Sequence, residues 1–345
     1  MTMTPLQRAE ALKKGRRVDR IPCAPMIAEY AACFAGVDLR DYLHSAELMA
    51  DCHLKCYRHF SYDSIGISPM AGVAEAMGGT LAYAPDCPPS VLNPPLSGWD
   101  DLGTLKLPDP SRDGRFPLYL EAMERMRDAV GDEVKVGSGM GGPMSVASLV
   151  IGTENLLTGM IKKPDQVHQL LQFSADLIIA YMEACAERGF GCSMGDGLLS
   201  NSLISTRLFR QFVRPYLQQI ADWYRARWGR DPSMHICGDT KGIWSDMVEI
   251  GFSRISIDDM MSLTEAKEVI GQVSSLKGNV SPTRVLLLGT PEDVREASFR
   301  CLDEAADNPK GFTLSTGCNI AWGTPPENVQ AMLDAARIWY EKKGV

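Results

Sequence analysis

No stretch of the 345-residue sequence approaches the roughly 20 consecutive apolar residues that a membrane-spanning helix needs. Positive charge is also in short supply. There are 35 Lys and Arg against 43 Asp and Glu, a net charge of −8 at pH 7, which argues against nucleic acid or an anionic membrane surface as a partner. The opening "MTMTPLQRAEALKKGRRVDR" lacks the apolar core of a signal peptide and reads as a helix, so a cytoplasmic protein is expected. Several motifs are missing. No G-x-x-x-x-G-K-[ST] loop offers a nucleotide site, and no H-E-x-x-H offers a zincin site. "GSGMGG" from 137 runs into "PMSVASL" without the acid of a dinucleotide fold, and no serine-hydrolase nucleophile elbow is expected.

The sequence does hold alternating strand and helix patterns. Eight short apolar runs have strand character: "IPCAPMI" from 21, "YDSIGIS" from 62, "VKVGSGM" from 134, "GCSMGDG" from 191, "SMHICGD" from 233, "RISIDD" from 254, "SSLKGNV" from 274 and "GFTLSTG" from 311. Helical patterns fill the gaps. "TRLFRQFVRPYLQQIADWYRARW" is predicted to kink at Pro215. "TPEDVREASFRCLDEAA" and "TPPENVQAMLDAARIWYEKK" are predicted to be capped by Thr290 and Thr324, each with Pro at the first helical position. Eight alternations predict an α/β chain folded as a single (β/α)₈ TIM barrel over 1–345, with active-site residues at the carboxyl ends of its strands. The Pro- and Gly-rich segment 81–116 reads as an insertion between the second and third strands, with room for a hairpin.

The ten cysteines of a cytosolic chain are expected to stay reduced, most of them as small buried hydrophobes. The stretch "DPSMHICGDT" is different. On a strand, His235 and Cys237 point to the same side, offering a nitrogen and a sulfur to one small volume. Zinc takes such ligands, usually four of them. Cys318, in the glycine-marked turn "LSTGCNIAWG" after the eighth strand, is the candidate third ligand; the plainer alternative is a small turn residue packed under the last helix. Asp258 or Asp259, ending the sixth strand, could fill a fourth position, and helix capping accounts for them equally well. "DCHLKCYRHF" from 51 is a rival cluster, with Cys52, Cys56 and His59 on one helical face and His53 beside them. That face continues the apolar stripe of Leu48, Met49 and Tyr57, so buried cysteines are the blander account. His44 and His168 read as surface residues.

With "GPMSVASLVIGTENLLTGMIKKPDQVHQLL" from 142, "RLFRQFVRPYLQQI" from 207, "GNVSPTRVLLLGTPEDVREASFRCL" from 278 and "GCNIAWGTPPENVQAM" from 317, the chain resembles the uroporphyrinogen decarboxylase superfamily over nearly its full length. The decarboxylases of that superfamily hold substrate carboxylates with arginines in a motif like R-Q-A-G-R-Y after the first strand. Here the corresponding stretch is "PCAPMIAEYAACFAG", without arginine, and a tetrapyrrole with many carboxylates needs cationic partners.

The chain is similar instead to the zinc-dependent corrinoid branch, the methylcobamide:coenzyme M methyltransferases, which carries H-x-C after the fifth strand and a later Cys in a G-C turn. The resemblance implies zinc at His235, Cys237 and Cys318, with Asp258 where that branch has a glutamate. It implies methyl transfer between a corrinoid and a thiol such as coenzyme M, in either direction. This chain has no D-x-H-x-x-G segment, so the corrinoid is expected on a partner protein docked over the strand ends. Asp196, ending the fourth strand, is a candidate for contacts to substrate. Asn279 and Ser281, near the end of the seventh, are candidate cofactor-binding residues. The competing functions are a decarboxylase of a polycarboxylate and a non-catalytic corrinoid-binding protein with a structural zinc.

Overall fold

The structure, a computed structural model, describes residues 3–84 and 86–343. Nine strands form: β1 (Ile65–Ile67), β2 (Thr80–Ala84), β3 (Cys87–Asn93), β4 (Val136–Gly141), β5 (Gly191–Asp196), β6 (Ser233–Ile236), β7 (Arg254–Ile257), β8 (Ser275–Val280) and β9 (Phe312–Thr316). Seven of them make one sheet in the order β1-β4-β5-β6-β7-β8-β9, and the pairs β5–β6, β7–β8 and β8–β9 are parallel. Helices separate consecutive members of this sheet. That is the (β/α)₈ order expected from the alternation of patterns. The insertion between β1 and β4 carries the antiparallel hairpin β2–β3.

One strand departs from expectation. The run "IPCAPMI" yields only a single parallel bridge, Cys23 to Leu314 of β9. Pro22 and Pro25 flank it, and neither has an N–H to give to a ladder. What remains is Ala24 N–H to the Leu314 carbonyl, Leu314 N–H to the Pro22 carbonyl, and Asp63 N–H to the Cys23 carbonyl, each at 2.9 Å. The segment sits where an eighth strand would lie.

The chain divides into two units. One takes in the described residues of Met1–Gly66, Ala122–Gly137 and Arg254–Val345. Its first helix, Pro5–Lys13, starts in a capping box of Thr4 and Gln7. From that helix the buried Arg8 donates to Asp19 at 2.7 Å and to Asp63, which also takes Arg20 at 2.6 Å. These bonds satisfy two carboxylates and two guanidiniums that would otherwise be costly to bury. Helices Pro291–Ala305 and Pro326–Lys343 pack on each other. Thr290 caps the first in a box with Asp293, as expected. Thr324 does not cap the second: its hydroxyl donates to the Ala321 carbonyl at 2.8 Å, and the helix begins two residues later at Pro326.

The other unit takes in Ile67–Glu121 and Ser138–Ser253. Its longest helix, Pro164–Glu187, buries Leu170, Leu171, Leu177, Ile178 and Tyr181 completely. Each such side chain is worth roughly 1.5–3 kcal/mol of transfer energy. The kink expected at Pro215 takes the form of a π-turn, Phe209–Val213, ahead of helix Arg214–Trp228. Proline has no N–H for the carbonyl one turn back, and widening that turn accommodates the lost bond. Helices Pro143–Ile151 and Thr153–Lys162 meet at 105°. Among the described residues no single helix is long and apolar enough to cross a membrane.

Candidate metal centre

His235 lies in β6, paired in register with Gly195 of β5, and Cys237 follows the strand directly. Strand alternation carries both side chains to one side, and His235 Nε2 and Cys237 Sγ stand 3.2 Å apart. Both are partly accessible. Gly238 then turns the chain at φ +76°, and a Cβ there would meet Ser200 Oγ at 2.7 Å. Only glycine lets the backbone leave Cys237 so closely.

At the end of β5, Asp196 is fully buried. Its Oδ2 accepts from the backbone N–H groups of Met144 and Ser145 at 3.0 and 3.3 Å. Its Oδ1 accepts from the Ser145 hydroxyl at 2.7 Å and from Leu198 N–H at 3.1 Å. Asp196 thus caps helix Pro143–Ile151 from a neighbouring strand and closes its own next turn. Burial pushes its carboxyl up to about 6 against the pull of these donors. The letters Gly191-Cys192-Ser193-Met194-Gly195 do spell G-x-S-x-G, contrary to expectation. All five residues lie inside β5 rather than on a strand-to-helix turn, and Ser193 Oγ donates to the Ser138 carbonyl at 3.3 Å.

Within the other unit, Cys318 follows β9 by two residues and is partly accessible. Gly317 N–H donates to the Val280 carbonyl at 2.8 Å. A Cβ on Gly317 would lie 2.4 Å from Asp259 N, so the turn carrying Cys318 presses on the loop after β7. Asp258 Oδ1 accepts from Met260 N–H at 3.2 Å within that loop. Asp259 pairs with Arg284 at 2.9 Å; burial pulls its carboxyl upward, but the Ser281 hydroxyl and the Arg284 guanidinium hold it below the usual range. Asn279 donates to the carbonyls of Asp258 and Met261 at 2.9 and 2.7 Å, and Ser281 Oγ accepts from Arg284 N–H at 3.2 Å. Both side chains are engaged in fixing the loops around Asp258.

Sequence reasoning passed over Glu29. Bonds from Met26 N–H to Thr316 Oγ1 at 3.1 Å and from Ile320 N–H to the Met26 carbonyl at 2.9 Å hold its segment along the Cys318 turn. Ala28, just before it, has φ +43°, sparsely populated ground for a residue with a Cβ. Burial pushes the Glu29 carboxyl up, its own backbone N–H pulls it back, and negative charge on Cys318 adds to the rise. The available signal was an acid in the arginine-free stretch after the first strand.

The rival cluster is core. His53 is buried, its Nε2 lies 2.9 Å from Tyr42 Oη, and burial lowers it to about 4. Cys52 and Cys56 are buried, which raises the Cys52 thiol to about 11 and Cys56 higher still. The His59 ring packs on Phe34 with centroids 5.1 Å apart. His44 is exposed as expected, but His168 is only partly so: its ring stacks on Phe212, and Nδ1 lies 3.0 Å from Tyr216 Oη.

The family model for uroporphyrinogen decarboxylase (URO-D) matches residues 4–339. The methylcobamide:CoM methyltransferase MtaA of Methanosarcina barkeri is 30% identical over 342 residues, covering 96% of each chain. The uroporphyrinogen decarboxylase of Azoarcus sp. is 27% identical over 303 residues, covering 84% of this chain and 82% of that one. The solved structure of a methyltransferase from Methanosarcina mazei superposes with a TM-score of 0.85 at 30% identity, covering 98% of this chain and 99% of that one. These relatives are enzymes that transfer methyl groups or remove carboxyl groups, and the chain belongs to their family, the uroporphyrinogen decarboxylase (URO-D) family.

Proposed function

We propose that this chain is a zinc-dependent methyltransferase. It moves a methyl group between a methylcobalamin-type corrinoid, carried by a partner protein, and a thiol such as coenzyme M. The observation that carries the reading is the His235–Cys237 pair, 3.2 Å apart at the carboxyl end of β6. Cys318 is the third ligand. The set of one imidazole and two thiols suits zinc. The relatives named methylcobamide:CoM methyltransferases support the corrinoid and the thiol.

Zinc bound there would keep an incoming thiol deprotonated at neutral pH, where a free thiol with pKa near 8.5 is mostly protonated. The chain's part is to hold and orient. His235 and Cys237 are aimed by strand alternation, and Cys318 by the turn that Gly317 packs against Asp259. Held by one imidazole and two cysteinates, the ion would leave the incoming sulfur electron-rich enough to accept a methyl group from the corrinoid, whose cobalt would keep the electron pair of the broken bond. With a methylated thiol as donor, the same ligands serve the reverse transfer. Glu29 lies beside Cys318, and Asp196 positions the loop after β5.

Decarboxylation of a tetrapyrrole would need free cations for its carboxylates. The arginine nearest the first strand, Arg20, is committed to Asp63 and the Ser61 carbonyl. Elemental analysis of wild type and Cys318→Ala, beside methyl transfer from free methylcobalamin to a panel of thiols, tests the reading. The expected result is one zinc per chain in wild type, lost in the variant together with thiol methylation. Metal-free wild-type protein with no transfer would overturn it.

A further inference from the structure

Lys277 stands in the middle of β8. The register sets it beside Ser256 of β7 and Thr313 of β9, so the three side chains share one face of these strands. Two residues before Ser256, on the same face, Arg254 donates to the Ser275 hydroxyl at 3.3 Å. Two residues of rise and one strand spacing put its Cα about 8 Å from that of Lys277, a span that two long side chains can close. Lys277 is half-buried and has no ion-pair or hydrogen-bond partner among the described residues. The charged or titratable groups acting on its amine are Arg254 and Cys23. Cys23 is buried, which pushes its thiol up to about 12, so it stays protonated and brings no negative charge. Burial, helped by Arg254, pulls the amine down to about 8. About a tenth of it is then the free base at pH 7, a nucleophile in a secluded place.

The second cation selects the electrophile by the charge of the product. A carbonyl compound would leave an iminium, a further cation beside Arg254. Cyanate would leave a neutral urea and an acyl donor a neutral amide, and neither product pairs with a guanidinium. Carbon dioxide arrives small and neutral and leaves an anion, which Arg254 can meet with a charge-assisted hydrogen bond. We propose that Lys277 is a carbon dioxide-binding residue, carried as its carbamate with the Arg254 guanidinium as counter-ion. The amine lone pair forms the new N–C bond, one C=O electron pair moves onto oxygen, and the proton lost from nitrogen goes to water. No oxidant or activated donor is needed. Ser256 and Thr313, both short, flank the lysine stem and leave its end to Arg254. The adduct turns a repulsion into an ion pair that ties β7 to β8, and it requires neither the metal centre nor a corrinoid.

Carbon-13 NMR of the full chain equilibrated with labelled bicarbonate at about pH 8 tests the site. Alkylation of the same sample with a trialkyloxonium salt traps a carbamate as its ester, and tryptic peptide mass spectrometry then locates it. Wild type is expected to show a carbamate resonance and a trapped ester on Lys277, with tryptic cleavage blocked after that residue. Lys277→Arg keeps the charge and removes the nucleophile, so both signals should vanish. Arg254→Gln keeps the amine and removes the counter-ion, so carbon dioxide should bind about tenfold more weakly, the size of one charge-assisted bond. Thermal melts check that both variants are folded. A wild type without the resonance, or a resonance that persists in Lys277→Arg because another amine carries it, would overturn the assignment. Undiminished binding in Arg254→Gln would overturn it as well, because the choice of carbon dioxide rests on that counter-ion.

Discussion

Asp196 and Lys277 are both secluded ionisable residues on strands, and their neighbours give them opposite characters. Asp196 is surrounded by donors. Replacing it by alanine would strand the Met144 and Ser145 N–H groups and is expected to cost about 1–3 kcal/mol in urea unfolding. The cost should depend on pH. The folded protein keeps this proton to about pH 6, whereas the unfolded chain releases it near the ordinary 3.8. Stability contributed by Asp196 therefore declines as pH climbs through that window and is level above it. The deficit of Asp196→Ala should be larger at about pH 4.5 than at about pH 7, and an equal deficit would contradict the assignment. Lys277 meets the cation of Arg254 and the thiol of Cys23, and burial pulls its amine down to about 8. The sequence disclosed His235 and Cys237 because two residues apart on a strand is a geometry in itself. It could not disclose Lys277 or Glu29. The neighbours that give them meaning, Ser256, Thr313 and Cys318, are brought beside them only by strand register and long-range backbone bonds.

Among whole elements, legibility followed how local the cause was. The helix beginning at Pro291 obeys its own first turn, with Thr290 and Asp293 each bonding the other's backbone. Thr290→Ala should cost about 1 kcal/mol in thermal or urea unfolding, and a neutral substitution would show that the box is not holding the helix end. The same letters at Thr324 fail because its hydroxyl is drawn to the Ala321 carbonyl by the preceding turn. Pro215 was legible as an interruption but not as a π-turn. A missing N–H forces some adjustment without saying which. In "IPCAPMI" the apolar letters read as a strand, yet the prolines decide how much ladder can form, and only one bridge does.

At the scale of the molecule, alternation of strand and helix was enough to recover the barrel order, because a parallel strand needs a crossover before the next. The division into two units left no trace in composition. The family match runs from residue 4 to 339 and so takes in Cys23, whose neighbours link it to both β9 and Asp63. That segment has a consequence for how the structure breathes. With Pro22 and Pro25 unable to donate, it joins β9 through two backbone bonds, whereas β8 is laddered on both sides. The Cys23 seam should therefore be where the sheet first comes apart. Amide hydrogen exchange reads this directly: Ala24 and Leu314 should lose protection well before Leu276, and equal protection at all three would mean that the seam is held by its side chains instead.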